Sequence, residues 1–105
     1  MRFVETPTFT RDLVGLLPDD EYRALQFALV LRPDAGALLK GGAGVRKLRW
    51  SVAGAGKRGG VRVIYYWVTA EDVIHMLTIY RKSRQEDLTP QQVRVLGKLV
   101  REELK

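Results

Sequence analysis

Lys57-Arg58-Gly59-Gly60 runs without a break into Val61-Arg62-Val63-Ile64-Tyr65-Tyr66-Trp67-Val68, so a basic glycine loop meets an apolar stretch whose only charge is Arg62. The β-branched and aromatic residues around that arginine read as a strand buried on both faces. A guanidinium placed there needs a partner, because an unpaired buried charge is expensive. One partner is a phosphate: arginine offers a planar fork of donors and does not deprotonate, and Lys57 and Arg58 add two more charges on glycine-rich backbone that an anion can approach closely. The plainer alternative is a solvated hairpin with Arg62 paired to a carboxylate such as Glu71 or Asp87.

Further cations could converge on the same point. Lys47 and Arg49 alternate with apolar Leu48 and Trp50 just upstream, and Arg81, Lys82 and Arg84 follow the next apolar run. Strand register decides whether Lys47 and Arg49 share a face with Arg62, and register is not readable from the sequence. A site of this composition suits RNA scission. Holding a 2′-hydroxyl in line with the adjacent phosphorus and neutralising the charge that develops there can supply much of the acceleration. Arg62, Lys57, Lys82 and Tyr80 are therefore the candidate catalytic residues, with either lysine able to transfer protons and Tyr80 able to orient the phosphate. Lys47, Arg49, Arg58, Arg81 and Arg84 are the candidate phosphate-binding residues.

Elimination narrows the chemistry. The chain of 105 residues has no cysteine and one histidine, His75, which excludes most zinc constellations and the usual Cys-His or Ser-His nucleophile pairs. No metal or other cofactor is expected, and His75, within an apolar strand pattern, reads as a structural or surface histidine ahead of an active one. Gly54 to Gly59 matches G-x-G-x-x-G, yet strand residues follow it where a dinucleotide fingerprint needs a helix. The balance of 18 Lys+Arg against 12 Asp+Glu gives +6, an excess that attracts nucleic acid or an acidic protein. Residues 40–62 hold seven of the cations and no acid. No apolar run approaches the ~20 residues of a membrane span and no apolar leader opens the chain, so one domain over 1–105, cytoplasmic and without a membrane partner, is expected.

The elements that must position these groups follow from periodicity. Phe3 and Val4 open with a short strand before a break at Thr6-Pro7, and Phe9, Leu13, Leu16 and Leu17 make a helix over 8–17. Pro18 followed by three acids starts a second helix, which buries Tyr22, Leu25, Ala28 and Leu29 and closes before Pro33. A glycine-rich loop spans 33–44. Three strands, at about 45–52, 61–68 and 73–80, are joined by a long hairpin at 53–60 and a turn at 69–72. Thr89 then caps a last helix begun by Pro90, with Val93, Leu96, Val100 and Leu104 as its apolar stripe. The β-α-α-β-β-β-α order predicts an α+β fold, a small antiparallel sheet packed with helices.

That order, with Arg46-Lys47-Leu48-Arg49, the Lys57-Arg58-Gly59-Gly60 loop, Val61-Arg62-Val63-Ile64-Tyr65-Tyr66 and Leu77-Thr78-Ile79-Tyr80-Arg81-Lys82-Ser83, resembles the RelE/HigB superfamily of toxins from type II toxin–antitoxin systems. It is most similar to the HigB-type branch. The resemblance implies a RelE-like fold and a ribosome-dependent mRNA endonuclease that enters the ribosomal A site and is neutralised by a cognate, HigA-like antitoxin with a DNA-binding domain. By position, Lys47 and Arg49 look like the basic pair of the family's first core strand, Arg62 like its phosphate arginine and Lys82 like the basic residue after the last strand. Lys57 and Arg58 match the HigB-type loop. Leu88 stands about where RelE-type members can carry a catalytic tyrosine, and the histidine clusters of some HigB toxins are missing. Two other readings remain open: a non-catalytic basic module that binds RNA or DNA, and an interaction protein whose basic block receives an acidic helix.

Overall fold

Val61–Val68 forms the middle strand of a five-stranded sheet in the computed structural model, which describes residues 1–52 and 60–104. In chain order the elements are β1 (Arg2–Glu5), α1 (Pro7–Leu13), α2 (Asp19–Leu31), β2 (Ala37–Leu38), β3 (Arg46–Trp50), β4 (Val61–Val68), β5 (Val73–Arg81) and α3 (Pro90–Leu99), the last continuing as a π-helical turn, Val100–Leu104. The strands lie in the order β1-β5-β4-β3-β2. The α+β class and the order of the main elements are as the periodicity predicts.

Local chemistry sets the helix starts. Thr6 caps α1 by accepting from the Phe9 N–H at 3.0 Å, with Pro7 in the first turn, so the Thr6-Pro7 break is the helix entrance. Asp19, Asp20 and Glu21 occupy the first turn of α2, where the dipole favours negative charge. Thr89 and Gln92 satisfy each other's backbone donors in a full capping box on α3.

Helices cover both faces of the sheet. On one, Phe9 from α1 and Leu25 and Leu29 from α2 pack on Val61, Val63, Tyr65 and Met76. On the other, Val100 from the end of α3 joins Val45, Ile64 and Leu77, with Leu88, Leu96 and Leu99 around them. This is why Val61–Tyr65 is buried at every position. Gly97 is needed for the second layer, since a Cβ there would stand 3.0 Å from the Gly41 carbonyl oxygen.

Several details depart from the sequence reading. β1 pairs parallel to β5, so the sheet is mixed; α1 and α2 carry the chain back across one face before the antiparallel strands begin. The 33–44 stretch, expected to be loop, contains β2, paired antiparallel to β3 through Ala37 and Leu38. Helix α1 stops at Leu13, and Leu16 and Leu17 bury themselves from a turn. Tyr22 and Ala28 are only half-buried, whereas Leu25 and Leu29 are fully enclosed. The ladder between β4 and β5 shifts register between Ile64 and Tyr65, making Leu77 the extra residue of a bulge. The 53–60 hairpin lies outside the described residues except for Gly60.

Tyr65 ties the 33–36 turn to the core. Its hydroxyl donates to the Pro33 carbonyl at 2.7 Å and accepts from the Gly36 N–H at 2.8 Å. Tyr65→Phe leaves that buried N–H without an acceptor, and should lower unfolding free energy in urea by about 1–3 kcal/mol while the sheet is retained.

Candidate nucleic-acid interface

Arg62 lies one residue inside the start of β4, directly opposite Arg49 on β3 and Tyr80 on β5. Residues directly opposite in a ladder project from the same face, so these three side chains stand side by side on the α3 face of the sheet. Lys47, two residues before Arg49, joins them across from Ile64. Register thus settles what the sequence left open: Lys47, Arg49, Arg62 and Tyr80 occupy one end of one face.

The electrostatics of this row are unfavourable for the protein alone. Arg62 is only 6% exposed; among the described residues its Nε has no hydrogen-bond partner, and its one bond is a long 3.4 Å contact from Nη1 to the Val61 carbonyl. No ion pair to it occurs among the described residues. The like-charged Arg49 directly across the ladder makes the arrangement worse. Beside it, the buried Tyr80 hydroxyl is also without a partner. Two neighbouring donors are thus buried and without an acceptor among the described residues.

Asp87 is the carboxylate nearest this chemistry, and it is committed elsewhere. It accepts from Lys47 Nζ, a contact within hydrogen-bond range that bridges β3 and the loop before α3. That bond, followed by the charges of Lys47, Arg49 and Arg62, holds the Asp87 carboxyl below the usual carboxylate range. The alternative pairing of Arg62 with Glu71 or Asp87 is not what the fold adopts. Burial, reinforced by Asp87, pushes the Tyr80 phenol up despite the opposing pull of Arg62, so it remains an O–H donor at neutral pH.

Not every candidate reaches this face. Arg81 sits opposite Val61 and so projects to the other side, where its Nη2 donates to the Gly15 carbonyl at 3.3 Å. Arg84 lines the same cleft beside Arg11 and Gly15. Neither joins the row around Arg62. Lys82 is exposed, and its backbone N–H bonds the Gly60 carbonyl at 3.1 Å, which brings its position to the strand end where Arg62 lies. Lys57 and Arg58 lie outside the described residues. His75 stands towards the opposite end of β5, across from Tyr66, half-buried and with its imidazole pKa lowered by that burial. Asp87, offered by the sequence reading only as one possible carboxylate for Arg62, pairs with Lys47, a contact that the sequence reading missed.

No protein-family model matches the chain. Its fold is nevertheless RelE-like. It is similar to the structure of a double arginine-to-alanine mutant of the E. coli toxin RelE in the free state, with a TM-score of 0.57 over 81% of this chain and 86% of that one, at 16% identity.

Two outcomes are expected from these electrostatics. Arg62→Met, which keeps most of the volume and removes the unpaired charge, should melt at or above the wild-type temperature in low-salt buffer. The Asp87–Lys47 contact contributes stability above the ordinary carboxylate pKa and loses it as pH falls through the depressed folded value. A carboxyl NMR titration should therefore place Asp87 below the usual range, and Lys47→Met should move its midpoint upward.

Proposed function

We propose that this chain is the toxin of a type II toxin–antitoxin system, a single-domain cytoplasmic endoribonuclease that cuts mRNA on the ribosome and is restrained by a cognate HigA-like antitoxin. The observation that carries the reading is the buried Arg62, without an ion pair among the described residues, set between Arg49 and a Tyr80 hydroxyl that likewise has no partner among them. The RelE-like fold supports it.

In this mechanism the scissile phosphate fills the vacancy in the row. Its non-bridging oxygens accept from Arg62 and Arg49, whose charges are strongest in effect when negative charge concentrates on the phosphorane. The 2′-oxygen attacks phosphorus as the bond to the 5′-oxygen breaks, leaving a 2′,3′-cyclic phosphate and a 5′-hydroxyl. Tyr80, kept protonated by burial, donates a hydrogen bond to the phosphate and fixes its rotation. Lys82 or Lys57 supplies the proton that the departing oxygen needs, while the 2′-hydroxyl proton leaves to water. Lys47 and Arg58 hold flanking phosphates, and Lys47 must release Asp87 to do so. The ribosome supplies what a shallow cationic face lacks, a strand held in the in-line conformation.

Primer extension on a defined mRNA, in a reconstituted translation reaction with and without ribosomes, tests this directly. Cuts should require ribosomes, and Arg62→Ala should reduce them by roughly 10²–10³-fold, as for loss of a single oxyanion donor. Tyr80→Phe should lower the rate less severely. Cuts on free RNA would make the protein an ordinary ribonuclease; salt-sensitive RNA binding without any new ends would make it a non-catalytic module.

A further inference from the structure

Three of the exposed large apolar side chains belong to one helix. On α2, Phe27 is 64% exposed, Leu31 66% and Val30 46%, whereas Leu25 and Leu29 of the same helix are fully enclosed. A single exposed apolar residue is ordinary, as Val14, Leu38 and Val95 are on their separate parts of the fold. A cluster on one helix is a patch. Its spacing is regular: Asp20, Ala24, Phe27 and Leu31, all exposed, follow at intervals of four, three and four. That is a heptad seam, the line along which one helix packs on another. Exposed Arg23 and Val30, seven residues apart, flank it. Helix α2 therefore carries two apolar lines, and among the described residues only the one through Leu25 and Leu29 meets the rest of the fold.

Charge selects what can cover the second line. Residues 40–62 hold seven cations and no acid, so two copies of the chain repel through that block. The 18–34 stretch has the opposite balance, with Asp19, Asp20, Glu21 and Asp34 against Arg23 and Arg32. Its signs are also separated along the helix. The acids fill the first turn and Arg32 closes the last. Asp19 and Asp20 have no ion pair among the described residues, and exposed Arg32 has only a loose one, 3.9 Å to Asp34. A second α2 turned end for end answers the first. With the two-fold axis level with the bond between Leu25 and Gln26, Phe27 lies on the partner's Ala24, whose small side chain leaves room for the ring. Arg32 then stands level with the partner's Asp19, beside its Asp20, and the helix dipoles oppose. A parallel pair would set acid on acid.

We propose that the outer face of α2 is the interface of a symmetric homodimer, two copies packed antiparallel through Ala24, Phe27 and Leu31 with Val30 at the flank, and Arg32 of each paired to the acidic first turn of the other. Such an isologous contact closes on itself and leaves neither patch open. A helix of 13 residues is about 20 Å long, so the contact stays below about 1,200 Å² and the dimer is weak and concentration-dependent. The inference does not rest on the RNA reading, because α2 covers the opposite face of the sheet from Arg62 and Arg49.

Sedimentation equilibrium on the full chain after nuclease treatment, at concentrations up to about 0.5 mM, tests this. A monomer–dimer equilibrium is expected. Phe27→Glu and Leu31→Glu, both at exposed positions that leave the core intact, should each weaken it by about tenfold or more, with native circular dichroism. Arg32→Glu should also weaken it, and adding Asp19→Lys and Asp20→Lys to that chain should restore it, since both ends are then reversed. Arg62→Ala should dimerise as the wild type does. A monomer at every concentration, a dimer found only before nuclease treatment, or a dimer insensitive to Phe27→Glu and Leu31→Glu would overturn the proposal. So would a folded triple charge reversal that associates no better than Arg32→Glu alone.

Discussion

The backbone ladder that locks β4 between β3 and β5 is the interaction on which the rest depends. Its register puts Arg49, Arg62 and Tyr80 in one transverse row, and a slip of one residue would send Arg62 to the α1–α2 face, against Phe9, Leu25 and Leu29. Both core layers guard against such a slip, because each apolar residue of β4 would change faces with it. The Leu77 bulge adds a second safeguard: it absorbs one residue on β5, so that alternation is in phase with Arg62 at the Tyr80 end and with the core at the Met76 end.

Stability and purpose pull apart at Arg62. A folded protein gains nothing from a guanidinium that is 6% exposed with an unbonded Nε, and a neighbouring arginine directly across the ladder compounds the cost. The cost is offset by the large apolar layers on either side. Asp87 marks the limit of internal compensation. It neutralises Lys47 at the rim of the row and leaves the centre open.

β5 sends neighbouring polar side chains to opposite faces of one sheet. Tyr80 belongs to the row with Arg62, while Arg81, one residue later, reaches the cleft beside Gly15. A cluster that looks continuous in the sequence, Arg81-Lys82-Ser83-Arg84, is thus split between environments by the two-residue period of a strand and the turn that ends it.

Much of the fold was legible because it rests on local rules. Alternation along 45–52, the apolar runs at 61–68 and 73–80 and the Thr89-Pro90 start of α3 each announce an element. Arg62 could be singled out for the same reason, as the one charge in a run otherwise fit only for the interior. The parallel pairing of β1, the two-residue β2, the bulge at Leu77 and the commitment of Asp87 to Lys47 were not legible. Each depends on contacts between residues far apart in the chain, Arg2 with Val73, Ala37 with Lys47, Lys47 with Asp87, for which no local pattern exists. The sequence by itself determined most of the strands and helices, though not β2 or the end of α1, and that a cation sits inside one of the strands. Only the tertiary structure decided which cations meet, because register and face are set by packing the two core layers at once.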